Sequence, residues 1–149
     1  MDEAALQQIY NYRRLTDLVA TAGQPSEEEL ATVAHAGFEV VVNLALHDVE
    51  YSLPDERRTV ESLGMRYVHI PVAWERPLRS DLEHFFELMD ELSDKRVFVH
   101  CAANKRVSVF MALYRQRRQG WSADAVMPDV LAIWEPDDVW RRFFEEMIR

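Results

Sequence analysis

The sequence predicts an α/β domain: a central, mostly parallel sheet of four or five strands flanked by helices. Two observations predict it. Short β-branched runs, FEVVVNLA (38–45), MRYVHIPV (65–72) and RVFVH (96–100), alternate with stretches whose apolar residues recur at helical spacing. FEVVVNLA is also almost continuously apolar, as a strand covered by helices on both faces must be.

Each element follows in order. LQQIYNYRRL (6–15) reads as a short N-terminal helix, and LVATAG (18–23) as the first strand. In SEEELATVAHAG (26–37), Ser26 and Glu29 have capping-box spacing, Leu30, Val33 and Ala34 form a stripe, and Gly37 suits the C-terminal cap. The strand 38–45 is followed by a helix in PDERRTVESLG (54–64) and by the strand MRYVHIPV, closed by Pro71. A loop, AWERPLRS (73–80), leads to a helix in DLEHFFELMDEL (81–92), where Leu82, Phe85, Phe86 and Met89 share one face. RVFVH is the next strand. Beyond it Val107, Phe110, Met111 and Tyr114 recur at helical spacing until Gly120, and Arg115, Arg117 and Arg118 in the last turn complement the negative helix end. The tail supplies two helices, in 122–134 with Pro128 as a kink or early break, and in 135–149. Val139, Trp140, Phe143, Phe144 and Met147 there make a core stripe. The four tryptophans are expected as core anchors, Trp74 and Trp134 least firmly.

Composition bounds the function. A length of 149 residues suits one domain, 1–149, with no internal repeat or linker. No apolar run approaches the roughly 20 residues that span a bilayer, and the N-terminal stretch lacks the pattern of a secretory leader. One cysteine excludes an intramolecular disulfide and fits a reducing compartment, so a cytoplasmic location is expected. A net charge of −9 argues against nucleic acid and anionic membrane as partners, since both need a broad positive face. It leaves room for a small anion in a local pocket, which Lys105 and Arg106 could supply. His35, His47, His69 and His84 lack zinc-ligand spacing, so no metal or other cofactor is expected.

The chemistry concentrates in VFVHCAANKRVSVF (97–110), which carries the single cysteine. Cys101 falls between a strand and a helix, at the sheet end where open α/β folds bind ligands. A helix N-terminus offers free amides and partial positive charge; it cradles anions and favours a thiolate, with help from Lys105 and Arg106. The residue types alone leave open a second reading, a buried structural thiol.

The stretch resembles the signature of the cysteine-dependent protein tyrosine and dual-specificity phosphatases: His-Cys, two residues, Gly, two residues, Arg, then Ser or Thr. His100, Cys101 and Ser108 match position for position. Asn104 replaces the glycine, a mild change because Asn tolerates left-handed backbone. Val107 stands at the arginine position. TAGQPSEEEL, AGFEVVVNLA and GMRYVHIPV look like the bacterial branch, and the resemblance covers most of 20–120.

The resemblance implies that Cys101 attacks phosphorus, that Ser108 assists the leaving thiolate, that His100 orients the loop, and that Ala102, Ala103, Asn104, Lys105 and Val107 complete the anion-binding loop. It also implies an acid after the Ile-Pro strand. Val72, Ala73 and Trp74 stand where that acid is sought; the nearest carboxylates are Glu75, the candidate, and Asp81. Arg106 replaces the signature arginine only if the loop is tighter by one residue, because a single helical step turns a side chain by about 100°. The implied partner is a phosphorylated small molecule or protein, or an inorganic oxyanion.

Two rivals remain. An inactive phosphatase-like domain could bind an anion or phosphorylated partner without turnover. The Cys101–Arg106 spacing also fits the shorter loop of rhodanese-type sulfurtransferases, although no rhodanese-like Gly-His-Ile-Pro-Gly stretch accompanies it. Gln24, Asn43 and Asp48 are further candidates to line the pocket.

Overall fold

A computed structural model describes residues 2–47 and 52–148; Asp48 lies outside them. A five-stranded sheet is ordered β1-β2-β5-β3-β4, with β1 Arg13–Arg14, β2 Val19–Ala22, β3 Val40–Asn43, β4 Arg66–His69 and β5 Val97–His100. All neighbours are parallel except the short β1, which pairs antiparallel with β2. The central β5 lies between β2 and β3, so all four of its residues are buried. This explains why VFVH carries no polar alternation until it reaches the histidine.

One face of the sheet is covered by α4 (Arg79–Glu91), α5 (Lys105–Arg118), α6 (Ala123–Leu131) and α7 (Asp138–Met147). The other is covered by α1 (Asp2–Leu6), α2 (Glu27–His35) and α3 (Glu56–Ser62). The predicted faces do the covering. Leu82, Phe85, Phe86 and Met89 of α4 meet Phe110 and Tyr114 of α5, each large apolar side chain contributing roughly 1.5–3 kcal/mol by leaving water. The capping box of α2 forms as expected, and Gly37 follows the helix at φ +96°.

Four expectations are corrected. The helix expected over 6–15 is instead the five-residue α1 and then β1. Asn11, at φ 52°, turns the chain so that Arg13 and Arg14 pair with Thr21 and Ala20, and the arginines are tied to Asp129 and Glu3, each at 2.7 Å. Of the kink or early break expected at Pro128, the early break does not occur, and α6 runs through it from Ala123 to Leu131. The carbonyl its missing N–H leaves behind belongs to exposed Asp124, where solvent can serve it. Val139 is 39% exposed, on the outer side of α7. Of the tryptophans only Trp140 is fully buried; Trp74 and Trp134 are half-buried and Trp121 is 41% exposed. Among the described residues no helix is long and apolar enough to cross a membrane.

Candidate active site

The site begins where β5 ends. His100 pairs with Ala22 on one side and Asn43 on the other, and the next residue, Cys101, leaves the sheet. Three residues later α5 starts at Lys105, capped by Asn104 at φ 64°, ψ 3°. The loop is therefore short. Its turn into the helix is made in the left-handed region, where asparagine is among the residues tolerated best.

A strap from the far end of the chain holds this loop. Asn11 Nδ2 donates to the Ala103 carbonyl at 2.9 Å, and Asn104 Nδ2 donates to the Asn11 carbonyl at 2.9 Å and to Thr21 Oγ1 at 3.0 Å. The Gln24 amide donates to the Ala102 carbonyl at 2.9 Å. Gly23 fits here because it has no side chain: a Cβ would lie 2.7 Å from the Ala102 carbonyl oxygen and 2.7 Å from the Tyr10 ring. With these carbonyls drawn outward, the amides of Ala102, Ala103 and Lys105 take no partner among the described residues. They are left for the helix N-terminal cavity, an anion-binding arrangement.

That cavity holds about 290 Å³ and is lined by Leu46, Trp74, Glu75, Cys101, Ala102, Ala103, Lys105 and Arg106. Arg106, in the first turn of α5, is only 4% exposed and donates through Nη1 to the Val72 carbonyl at 2.8 Å. Its guanidinium carbon stands 5.8 Å from the Trp74 ring centre. Trp74 leans on Trp134 at 5.4 Å between ring centres, and its carbonyl accepts from Trp140 Nε1 at 2.9 Å. Lys105 Nζ lies 5.5 Å from the Trp134 ring centre, on the cavity side.

The predicted residues therefore divide. Cys101, Ala102, Ala103, Lys105, Arg106 and Glu75 meet at one cavity. Val107 does not; it is fully buried and packs in the core beneath α5. Nor does Ser108, whose hydroxyl donates to the Lys105 carbonyl at 2.6 Å and accepts from Trp134 Nε1 at 3.0 Å. With α5 starting at Lys105, position 106 faces the cavity and positions 107 and 108 turn past it. Asn104 braces the loop from behind. Asp81 is spent at the start of α4, where its carboxylate accepts from the Leu78 amide at 3.3 Å. Asn43 is buried, donating to Tyr67 Oη at 2.9 Å. Among the described residues no group of three or more His, Cys, Asp or Glu could hold a metal ion.

One residue escaped sequence reasoning. Glu56, on α3, places Oε2 2.6 Å from Nε2 of His100, both side chains almost wholly buried. Nδ1 of His100 donates to the Cys101 carbonyl at 3.2 Å, and Glu56 Oε1 accepts from Gln24 Nε2 at 2.9 Å. Burial opposes ionisation of Glu56, but the charge and hydrogen bond of His100, with the Gln24 amide, override it and hold the carboxyl below its ordinary range. The signal was a glutamate one turn from Val60 on the buried side of α3, a charge where the helix otherwise goes apolar.

A thiol delivered by a central parallel strand to a strapped loop at a helix N-terminus defines a class, the cysteine-dependent phosphatase-like domains. Residues 9–130 match the family model PTP-NADK, described as a DSP-PTPase phosphatase fused to NAD+ kinase, and the chain belongs to that family. A crystal structure of a DUF442 protein from Shewanella putrefaciens is 32% identical, with TM-score 0.85, covering 97% of this chain and 95% of the other. Tk-PTP in its active form is 21% identical (TM-score 0.77; 92% and 95% covered). A cysteine-to-serine variant of P. aeruginosa TpbA in complex with pTyr is 19% identical (TM-score 0.73; 94% and 83% covered). These two share the fold. No curated protein matches the chain.

Proposed function

We propose that the protein hydrolyses phosphomonoesters through Cys101. The observation that carries this reading is that Cys101 and Arg106 line the same cavity although the arginine is one residue early. In the reaction the thiolate attacks phosphorus and forms a phosphocysteine as the ester P–O bond breaks. Glu75 protonates the departing oxygen. Water then attacks phosphorus, gives its proton to Glu75, and the thiolate leaves with inorganic phosphate formed. The inward amides, Lys105 and Arg106 hold the phosphoryl oxygens, the role for which preorganised donors are most effective. The substrate is a phosphorylated small molecule or protein; pTyr, held by TpbA, is the first to try. The single buried thiol supports a cytoplasmic setting.

A second reading is binding without efficient turnover. The placement of Ser108, held by Trp134 and the Lys105 carbonyl, favours it, because no hydroxyl is then available to assist the departing thiolate. One experiment separates the two: hydrolysis of an aryl phosphate by the wild type, Cys101→Ser and Glu75→Gln, beside tungstate titration followed by tryptophan fluorescence. Turnover lost in Cys101→Ser, and lowered ~10²-fold or more in Glu75→Gln for poor leaving groups, supports catalysis. Background rates with tungstate binding support the binding reading. Cys101-dependent sulfur transfer from thiosulfate to cyanide would displace both.

A further inference from the structure

We propose that Glu56 is a positioning residue for the Cys101 loop: its carboxylate holds His100 in the doubly protonated form, and the imidazolium fixes the Cys101–Ala102 peptide and stabilises the thiolate. The inference deepens the phosphatase reading and rests on it for its kinetic consequence.

The argument starts from a count of donors. Both ring nitrogens of His100 face acceptors, the Cys101 carbonyl at 3.2 Å and Glu56 Oε2 at 2.6 Å. Against an ionised Glu56, a neutral imidazole has one N–H and satisfies only one of them. An imidazolium satisfies both and neutralises a carboxylate that is only 2% exposed, where an unpaired charge is costly. Gln24 reinforces the arrangement, since its side chain donates to Glu56 while its backbone amide donates to the Ala102 carbonyl. One residue thus ties the ion pair to the loop. The Cys101 carbonyl, drawn toward the imidazolium, sets the plane of the peptide whose other end is the Ala102 amide.

Other charged groups surround this axis. Lys105, Arg106 and Glu75 share the cavity with the thiol. On its other side Glu56 interacts with Tyr67 and His69 of β4 and with His47 after β3, and Arg57 of α3 lies over the Tyr67 ring; Tyr67 accepts from Asn43, and the His47 and His69 rings stack at 3.7 Å. The direct bond to His100 from outside the loop is the one from Glu56.

The test is Glu56→Gln, which keeps the shape but can donate to His100 Nε2 and so permits a neutral ring. The readout is the pH dependence of Cys101 alkylation by iodoacetamide, which needs no turnover, beside the pH profile of kcat/KM. The inflection should move up by about one pH unit, a roughly tenfold loss of thiolate below it. Glu56→Asp, which keeps the charge, should restore part of the shift. An unchanged inflection in a folded Glu56→Gln protein overturns the proposal. If that variant does not fold, the wild-type His100 ring ¹⁵N shifts at a pH of about 7.5 decide: imidazolium supports the proposal and a single neutral tautomer overturns it. A shifted alkylation profile in a protein without phosphatase turnover would leave this inference standing and remove the phosphatase reading alone.

Discussion

Arg106 donates to the carbonyl oxygen of Val72 at 2.8 Å, tying the first turn of α5 to the segment that carries Trp74 and Glu75. The contact gives the arginine two duties, charge in the cavity and a tether for the loop that carries Glu75. Arg106→Lys keeps the charge but loses the planar fork. We expect kcat/KM toward an aryl phosphate to fall at least ~10²-fold. Trp74 fluorescence should change even without ligand, as the tether is lost. Steady-state kinetics and emission spectra of the purified variant check both.

Ser108→Ala should behave unlike a loss of a catalytic hydroxyl. The side chain serves the Lys105 carbonyl and Trp134 Nε1, so its removal should cost about 1–3 kcal/mol in urea unfolding. At saturating substrate kcat should change less than about threefold. A kcat drop of ~10² or more, the size expected for a lost preorganised catalytic donor, would contradict the placement.

Asn104 separates backbone from side chain. Asn104→Ala forces a Cβ-bearing residue without the asparagine's local bonds into φ 64°, and removes donors to Asn11 and Thr21. A destabilisation of about 3–4 kcal/mol follows, from roughly 1–2 of backbone strain and about 1 for each of the two lost hydrogen bonds. Asn104→Gly relieves the strain and should recover about half of it. Thermal melts of the pair, with tungstate affinity as the companion measurement, test the ranking.

Acid should unfold the protein through particular carboxylates. Glu56 is held below its ordinary range, against burial, by His100 and Gln24; Asp129 is held low, also against burial, by Arg115 and Arg13. Groups whose folded value is depressed contribute stability that is complete above their unfolded values, about 3.9–4.3, and is lost as pH falls through the lower folded ones. The urea midpoint should therefore be level from about pH 6 to about 4.5 and decline below it. In Glu56→Gln the decline should be shallower, with lower stability at the upper end of that range. Parallel curves would exclude Glu56 as a contributor.

Much of this architecture is legible in the sequence, and the reasons are local. VFVH has one pattern because it is buried on both faces, and SEEELATVAHAG signals its own start and stop with Ser26, Glu29 and Gly37. The cysteine loop was legible because Cys101 and its flanking elements are consecutive. What failed depended on distance. The helix expected over 6–15 gave way to β1, whose partners Thr21 and Ala20 lie beyond a turn at Asn11. The Glu56–His100 contact joins residues 44 apart. The register of Arg106 turned on where α5 begins, and Asn104 decided that with a backbone angle instead of a spacing.

The strap over the cysteine loop also ties the cavity to the first residues of the fold. Asn11 reaches Ala103 across 92 positions, and Asn104 reaches back across 93. Closing loops of that length costs conformational entropy, which the rest of the fold must offset. The proposed anion cradle depends on that docking, so trimming the chain back to Tyr12, which also removes buried Leu6 and Ile9, should leave a slack loop that binds tungstate weakly.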